Sequence, residues 1–153
     1  MLVSCYRRRT LAIPARLSFA TLGVTDVARA TRFYQALGFP LSSGSVEGEV
    51  SFFKTAGGLL ALWRITDMAD DVKLSTHDRS AFSATALAMN LDSAEQVDEA
   101  LTAARTNGGR IIKPGTKLAF GYHGYFADLD EHIWEVAYNR DFPIGSDGRP
   151  TLP

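Results

Sequence analysis

The chain has 153 residues, 46% of them hydrophobic and 22% charged, the composition of one soluble globular domain that buries about two thirds of its unfolded surface. Its 16 basic and 17 acidic residues leave a net charge of -1, which excludes the basic field that nucleic acid or an anionic membrane surface would need. The single cysteine, Cys5, cannot close an intrachain disulfide, and His77, His123 and His132 form no cysteine/histidine cluster of zinc spacing, so a reducing cytoplasm is the expected location.

Residues 1–16 read as an N-terminal extension. Arg7, Arg8 and Arg9 precede an apolar stretch that Pro14 and Arg16 interrupt before it reaches the length of a signal-peptide core. A first module is expected over residues 17–66. A strand over Leu17–Val24 leads through Thr25 and Asp26 into a helix whose apolar residues Val27, Ala30, Phe33, Tyr34 and Leu37 fall at helical spacing, with Gly38 placed to cap its end. Strand-like runs follow over Phe39–Ser43, Val46–Lys54 and Leu59–Ile65, the last two joined at Gly57-Gly58.

Residues 67–82 read as a polar, mobile linker. A second module over residues 83–139 then repeats the pattern. The strand Thr85–Leu91 leads into a helix carrying Val97, Ala100, Leu101 and Ala104, opened by the Ser93/Gln96 capping box and closed by Gly108-Gly109. Strands over Arg110–Lys113, Phe120–Ala127 and His132–Tyr138 complete it, the last two joined by a turn at Asp128–Glu131. Residues 140–153, rich in proline and glycine, read as an irregular tail lying over the surface. The expectation is therefore an α+β fold of two βαβββ modules forming curved mixed sheets, each leaving a sheet face for the other to cover.

The segments Leu22-Gly23-Val24-Thr25-Asp26, Arg32-Phe33-Tyr34-Gln35-Ala36-Leu37-Gly38-Phe39 and Gly124-Tyr125-Phe126-Ala127-Asp128-Leu129-Asp130-Glu131-His132-Ile133-Trp134-Glu135-Val136 resemble the vicinal oxygen chelate superfamily. That group holds glyoxalases, extradiol dioxygenases, fosfomycin-inactivating enzymes and bleomycin resistance proteins. The resemblance covers Leu17 to about Asn139 and implies the glyoxalase/bleomycin resistance/dioxygenase fold. Leu129 and Glu131 depart from the family's Asp-Pro-Asp-Gly turn, and a non-glycine residue at a left-handed turn position costs about 1 kcal/mol.

The resemblance also implies that the concave face of each sheet lines the site. Strand alternation places Trp134, Val136 and Tyr138 under a helix and turns Glu135 inward. A turn over Asp128–Glu131 pairs Phe126 with Ile133 and Gly124 with Glu135, bringing Phe120, Tyr122 and Phe126 inward and sending His123 and Tyr125 to the helix side. The same parity in the first module puts Phe52, Ala61 and Trp63 inside, and Phe53, Leu60 and Leu62 outside.

Enzymes of the family hold a divalent metal with four side chains from the first and last strands of the two modules. Those positions match Phe19, Ala61, Ala86 within one residue, and Glu135, and only the last is a metal ligand. The expectation is a protein with no cofactor. It would be a homodimer binding a small aromatic or amphiphilic molecule in a groove lined by Phe19, Thr21, Phe52, Trp63, Phe120, Tyr122 and Glu135. The alternatives are a metal-dependent lyase, isomerase or dioxygenase holding a divalent cation, a metal-free enzyme with Glu135 as general base, and a Glu135 paired with Arg64 or Tyr122 for structural reasons alone.

Overall fold

The structure is a computed structural model that describes residues 18–76 and 83–151. The N-terminal extension with Cys5 and the arginine triplet, Leu17, and His77 and Arg79 of the expected linker lie outside the described residues.

In the first module, β1 (Phe19–Val24) leads into α1 (Val27–Ala36), followed by β2 (Val50–Lys54) and β3 (Leu59–Arg64). Asp26 caps α1 by accepting the Arg29 N–H at 2.9 Å, and Gly38 ends it at φ +90°, a conformation glycine adopts without strain. The sheet order is β1-β3-β2, with β1 parallel and β2 antiparallel to β3. The strand expected over Phe39–Ser43 is reduced to one bridge, Leu41 to Phe53.

The next element corrects the sequence reading. The first residues of the expected linker, with Ile65 and Thr66 from the end of the expected first module, form the helix α2 (Ile65–Val72) directly after β3. Ile65 and Met68 provide the reason, because they pack over Gly23, where a Cβ would meet Ile65 Cγ1 at 3.1 Å and Met68 Sδ at 3.3 Å. A short helix of low intrinsic propensity is held by tertiary contact.

The second module comprises β4 (Leu87–Asn90), α3 (Ala94–Thr106), β5 (Arg110–Leu118), β6 (Gly121–Ala127) and β7 (Ile133–Asn139), in the sheet order β4-β7-β6-β5. The capping box forms in a shifted version. Ser93 accepts the Gln96 N–H, while the Gln96 side chain reaches back to the Asp92 N–H at 2.9 Å. The tail crosses the β2–β3 turn, where Arg149 Nε donates to the Ala56 carbonyl at 2.7 Å.

One core joins the two modules. Leu22, Val24, Phe33, Tyr34, Phe53 and Leu62 from the first pack with Val97, Leu101, Phe126, Trp134 and Val136 from the second. At its centre Tyr34 donates to Asp128 Oδ2 at 2.6 Å and accepts the Trp134 Nε1–H at 3.0 Å. Asp128 Oδ1 also accepts the backbone N–H groups of Asp130 and His132, so this buried carboxylate is served by three donors, as burial requires. Thr25 adds a link through its N–H and hydroxyl to Asp130 Oδ1. No helix among the described residues is long and apolar enough to cross a membrane.

Candidate functional site

The face of the second sheet that points away from the shared core carries the polar chemistry, and the register of β6 against β7 decides which residues stand there. Phe126 is opposite Trp134, Tyr125 opposite Glu135 and His123 opposite Ala137. This is one residue away from the register expected from a four-residue turn, and it inverts the inner and outer sets of β6. The connection is a five-residue loop, Asp128–His132, closed by the Asp128 N–H to the His132 carbonyl at 3.0 Å. Glu131 takes the left-handed conformation at φ 69°, the arrangement of a type I turn followed by a bulge residue. Glu131 thus occupies the glycine position of the turn, with its side chain ion-paired to Arg110.

His123 and Tyr125 consequently join Glu135 on the open face, while Tyr122 and Phe126 turn to the helix side. The Tyr122 hydroxyl donates to Asp98 Oδ1 of α3 at 3.0 Å, a bond that raises its pKa, and Phe126 stacks on Trp134 in the core. Phe120 lies outside the strands, at the β5–β6 connection, and is 48% exposed. Neither Tyr122 nor Arg64 is the partner of Glu135, because Arg64 pairs with Asp67 and donates to the Gly48 carbonyl.

A connected cluster forms instead. His123 Nδ1 lies 2.8 Å from Glu135 Oε1, and His123 Nε2 lies 2.7 Å from Lys113 Nζ on β5. The His123 and Glu135 side chains are 15% and 29% exposed. Tyr125 completes the group. Partial burial, its hydrogen bond to Glu135 and the neighbouring carboxylate charge, in that order, raise its pKa above the phenol range. The β6 ring packs edge-on against the His123 imidazole. Lys113 carries no sequence signal as a site residue, since it is one lysine in a polar strand and only the β5–β6 pairing of Lys113 with Tyr125 brings it here.

On the first sheet the open face carries Phe19, Thr21, Phe52, Ala61 and Trp63, as alternation in the strand register requires. Phe19 and Phe52 make an edge-to-face pair with ring centres 6.0 Å apart, and Phe19 is 46% exposed. Leu59 stands beside Phe19, whereas Thr21 stands beside Ala61. In the second sheet the neighbour of Glu135 is Ala88, and Ala86 precedes the strand. His132, at the loop end, donates from Nε2 to the Gly23 carbonyl at 2.9 Å, a bond between the modules.

The donor chemistry does not fit a divalent cation. Thr21, Ala61 and Ala88 bring no strong ligand to the positions flanking Glu135, and the imidazole beside it has one nitrogen facing the carboxylate and the other facing an ammonium. Among the described residues no group of three His, Cys, Asp or Glu side chains converges as a metal site. Two surface depressions among the described residues, of 450 and 210 Å³, lie along α3 over Asp98 and Thr102, on the opposite side of the sheet from Glu135. They contain none of this cluster.

Comparison with known proteins agrees with the architecture. The sequence profile of the Glyoxalase/Bleomycin resistance protein/Dioxygenase superfamily matches residues 16–136. A glyoxalase-related enzyme from Fulvimarina pelagi superposes with a TM-score of 0.80 at 30% identity, covering 91% of this chain and 99% of that one. A glyoxalase/bleomycin resistance protein/dioxygenase family enzyme from Burkholderia phytofirmans gives 0.72 at 17% identity, over 82% and 99% of the two chains. A lactoylglutathione lyase from Agrobacterium tumefaciens gives 0.60 at 18%, over 82% and 94%. No curated protein matches the sequence.

Proposed function

Because the chain belongs to the glyoxalase/bleomycin resistance protein/dioxygenase superfamily, we propose that it is a member that works without a metal and captures a small aromatic or amphiphilic molecule on its open sheet faces. The observation that carries this reading is the donor set around Glu135, where Lys113 and His123 stand in place of further metal ligands. An ammonium bonded to the imidazole beside Glu135 opposes a cation by charge and occupies that ring's lone pair. The Phe19–Phe52 pair and Trp63 supply flat apolar surface for the body of a ligand. We place the protein in the cytoplasm as a homodimer, the second copy covering faces that a single chain leaves half exposed.

Elemental analysis of protein purified without chelator tests the metal-free state, with substoichiometric metal expected. Stoichiometric nickel, zinc, iron or manganese would overturn it. Tryptophan fluorescence screened against a small-molecule collection tests capture. Quenching is expected in the native chain and is absent from Trp63→Phe, which keeps only the core Trp134 as reporter.

A second reading, a metal-free enzyme, is favoured by one feature. The Glu135 carboxylate is only partly buried on the open face, with one oxygen bonded to His123 Nδ1. In that reading the base is Glu135 and His123 is a positioning residue.

A further inference from the structure

The hydrogen-bonding inventory of the cluster specifies what it can still bind. An ammonium has three N–H donors and no lone pair, so across the 2.7 Å contact His123 Nε2 is the acceptor and Lys113 Nζ the donor. The ring proton is therefore on Nδ1, which donates to Glu135 Oε1 at 2.8 Å. The imidazole is thus satisfied on both nitrogens from within the cluster. Lys113 has no other hydrogen-bond partner among the described residues, which leaves two of its N–H bonds free on the open face. What this end offers an incoming molecule is the two N–H donors of an ammonium.

We propose that Lys113, backed by His123 and Glu135, is the anchor for a carboxylate on the captured molecule. This rests on the reading that the open faces are the ligand site and adds the ligand's charge and the residue that recognises it. A carboxylate oxygen accepts the free N–H bonds of Lys113 as charge-assisted hydrogen bonds. The Glu135–His123 pair holds the ammonium in place from behind, since the imidazole is itself oriented by the carboxylate. A cationic group at the same donors would meet the Lys113 ammonium as a like charge.

The test uses the full chain labelled with ¹⁵N in its histidines and three probes that share one ring and differ in charge: benzoate, benzamide and benzylamine. Benzoate is expected to shift the His123 Nε2 resonance and the other two to leave it in place. Lys113→Met is expected to weaken benzoate binding by about tenfold or more, the effect of removing a hydrogen bond to a charged group. Benzylamine binding as tightly as benzoate, or benzoate binding unchanged in a folded Lys113→Met, would overturn the proposal. The native-chain series decides by itself if that variant does not fold. Quenching of Trp63 by all three probes with His123 silent would remove the carboxylate anchor and leave capture standing. Silence of both reporters toward every probe would remove both readings.

Discussion

Tyr34, on the helix of the first module, gives its hydroxyl hydrogen to the buried carboxylate of Asp128, which closes the last hairpin of the second. The same oxygen accepts the Trp134 indole N–H, so one phenol satisfies two buried groups across the joint between modules. Burial, the Asp128 charge and the bond to Asp128 all drive its pKa upward.

Tyr34→Phe keeps the ring contacts with Phe33, Phe39 and Phe53 and removes only that oxygen. It leaves a carboxylate oxygen and an indole N–H unpaired in the core, so the variant is expected to lose about 1–3 kcal/mol. Urea unfolding measures this. An unchanged midpoint would mean that the joint does not depend on the bond.

Alkaline stability follows from the tyrosines. Tyr34, Tyr122 and Tyr125 all have pKa values raised above the ordinary 10.0, so the folded chain retains protons that the unfolded chain releases. Their stabilising contribution is complete below pH 10 and is lost as pH rises from there toward the folded values. Urea midpoints are expected to be level just below pH 10 and to fall above it, with a shallower fall in Tyr34→Phe. A flat profile through this range would contradict the assigned partners.

Glu131 occupies a left-handed position at φ 69°. Its ion pair with Arg110 is between exposed side chains and contributes little. Glu131→Gly is therefore expected to stabilise the chain by up to about 1 kcal/mol, and Glu131→Val to destabilise it by about 1 kcal/mol or more, because a β-branched side chain tolerates that conformation poorly. Thermal unfolding in the order Gly above Glu above Val checks the five-residue loop.

Gly124 distinguishes the two registers directly. Opposite Val136 it faces α3, and a Cβ there would come within 2.6 Å of Leu101 Cδ1 and 2.9 Å of the Lys113 carbonyl. Gly124→Ala is expected to cost about 1–3 kcal/mol by overpacking. In the four-residue-turn register the same methyl would point onto the open face beside Glu135 and cost nothing, so a neutral result would restore that register.

Much of this protein is determined along the chain. The helical spacing from Val27 to Leu37, the caps at Asp26, Ser93 and Gly38, and the alternation in β3 and β7 depend on residues near one another in sequence. They specify two β/α modules, a three-stranded and a four-stranded sheet each with its helix, and turn Trp134 and Val136 inward without reference to anything distant. The parity of β2 and β3 is equally local, because their loop has an even number of residues and no bulge, so Phe52, Ala61 and Trp63 take the face that alternation assigns.

Tertiary structure decided the site. Whether the hairpin after β6 uses four residues or five cannot be read from Asp128–His132 alone. A glutamate is an unfavourable choice for the left-handed position, and it is the burial of Phe126 and Trp134 on one side of the sheet, with Asp128 anchored by Tyr34 of the other module, that outweighs its strain. A single residue of loop length then moves every side chain of β6 to the opposite face. It is for that reason that His123, Tyr125 and Lys113 stand with Glu135, and that Tyr122 belongs to α3. The same holds for α2, whose helix exists because Gly23 leaves room for Ile65 and Met68, a fit between segments some forty residues apart.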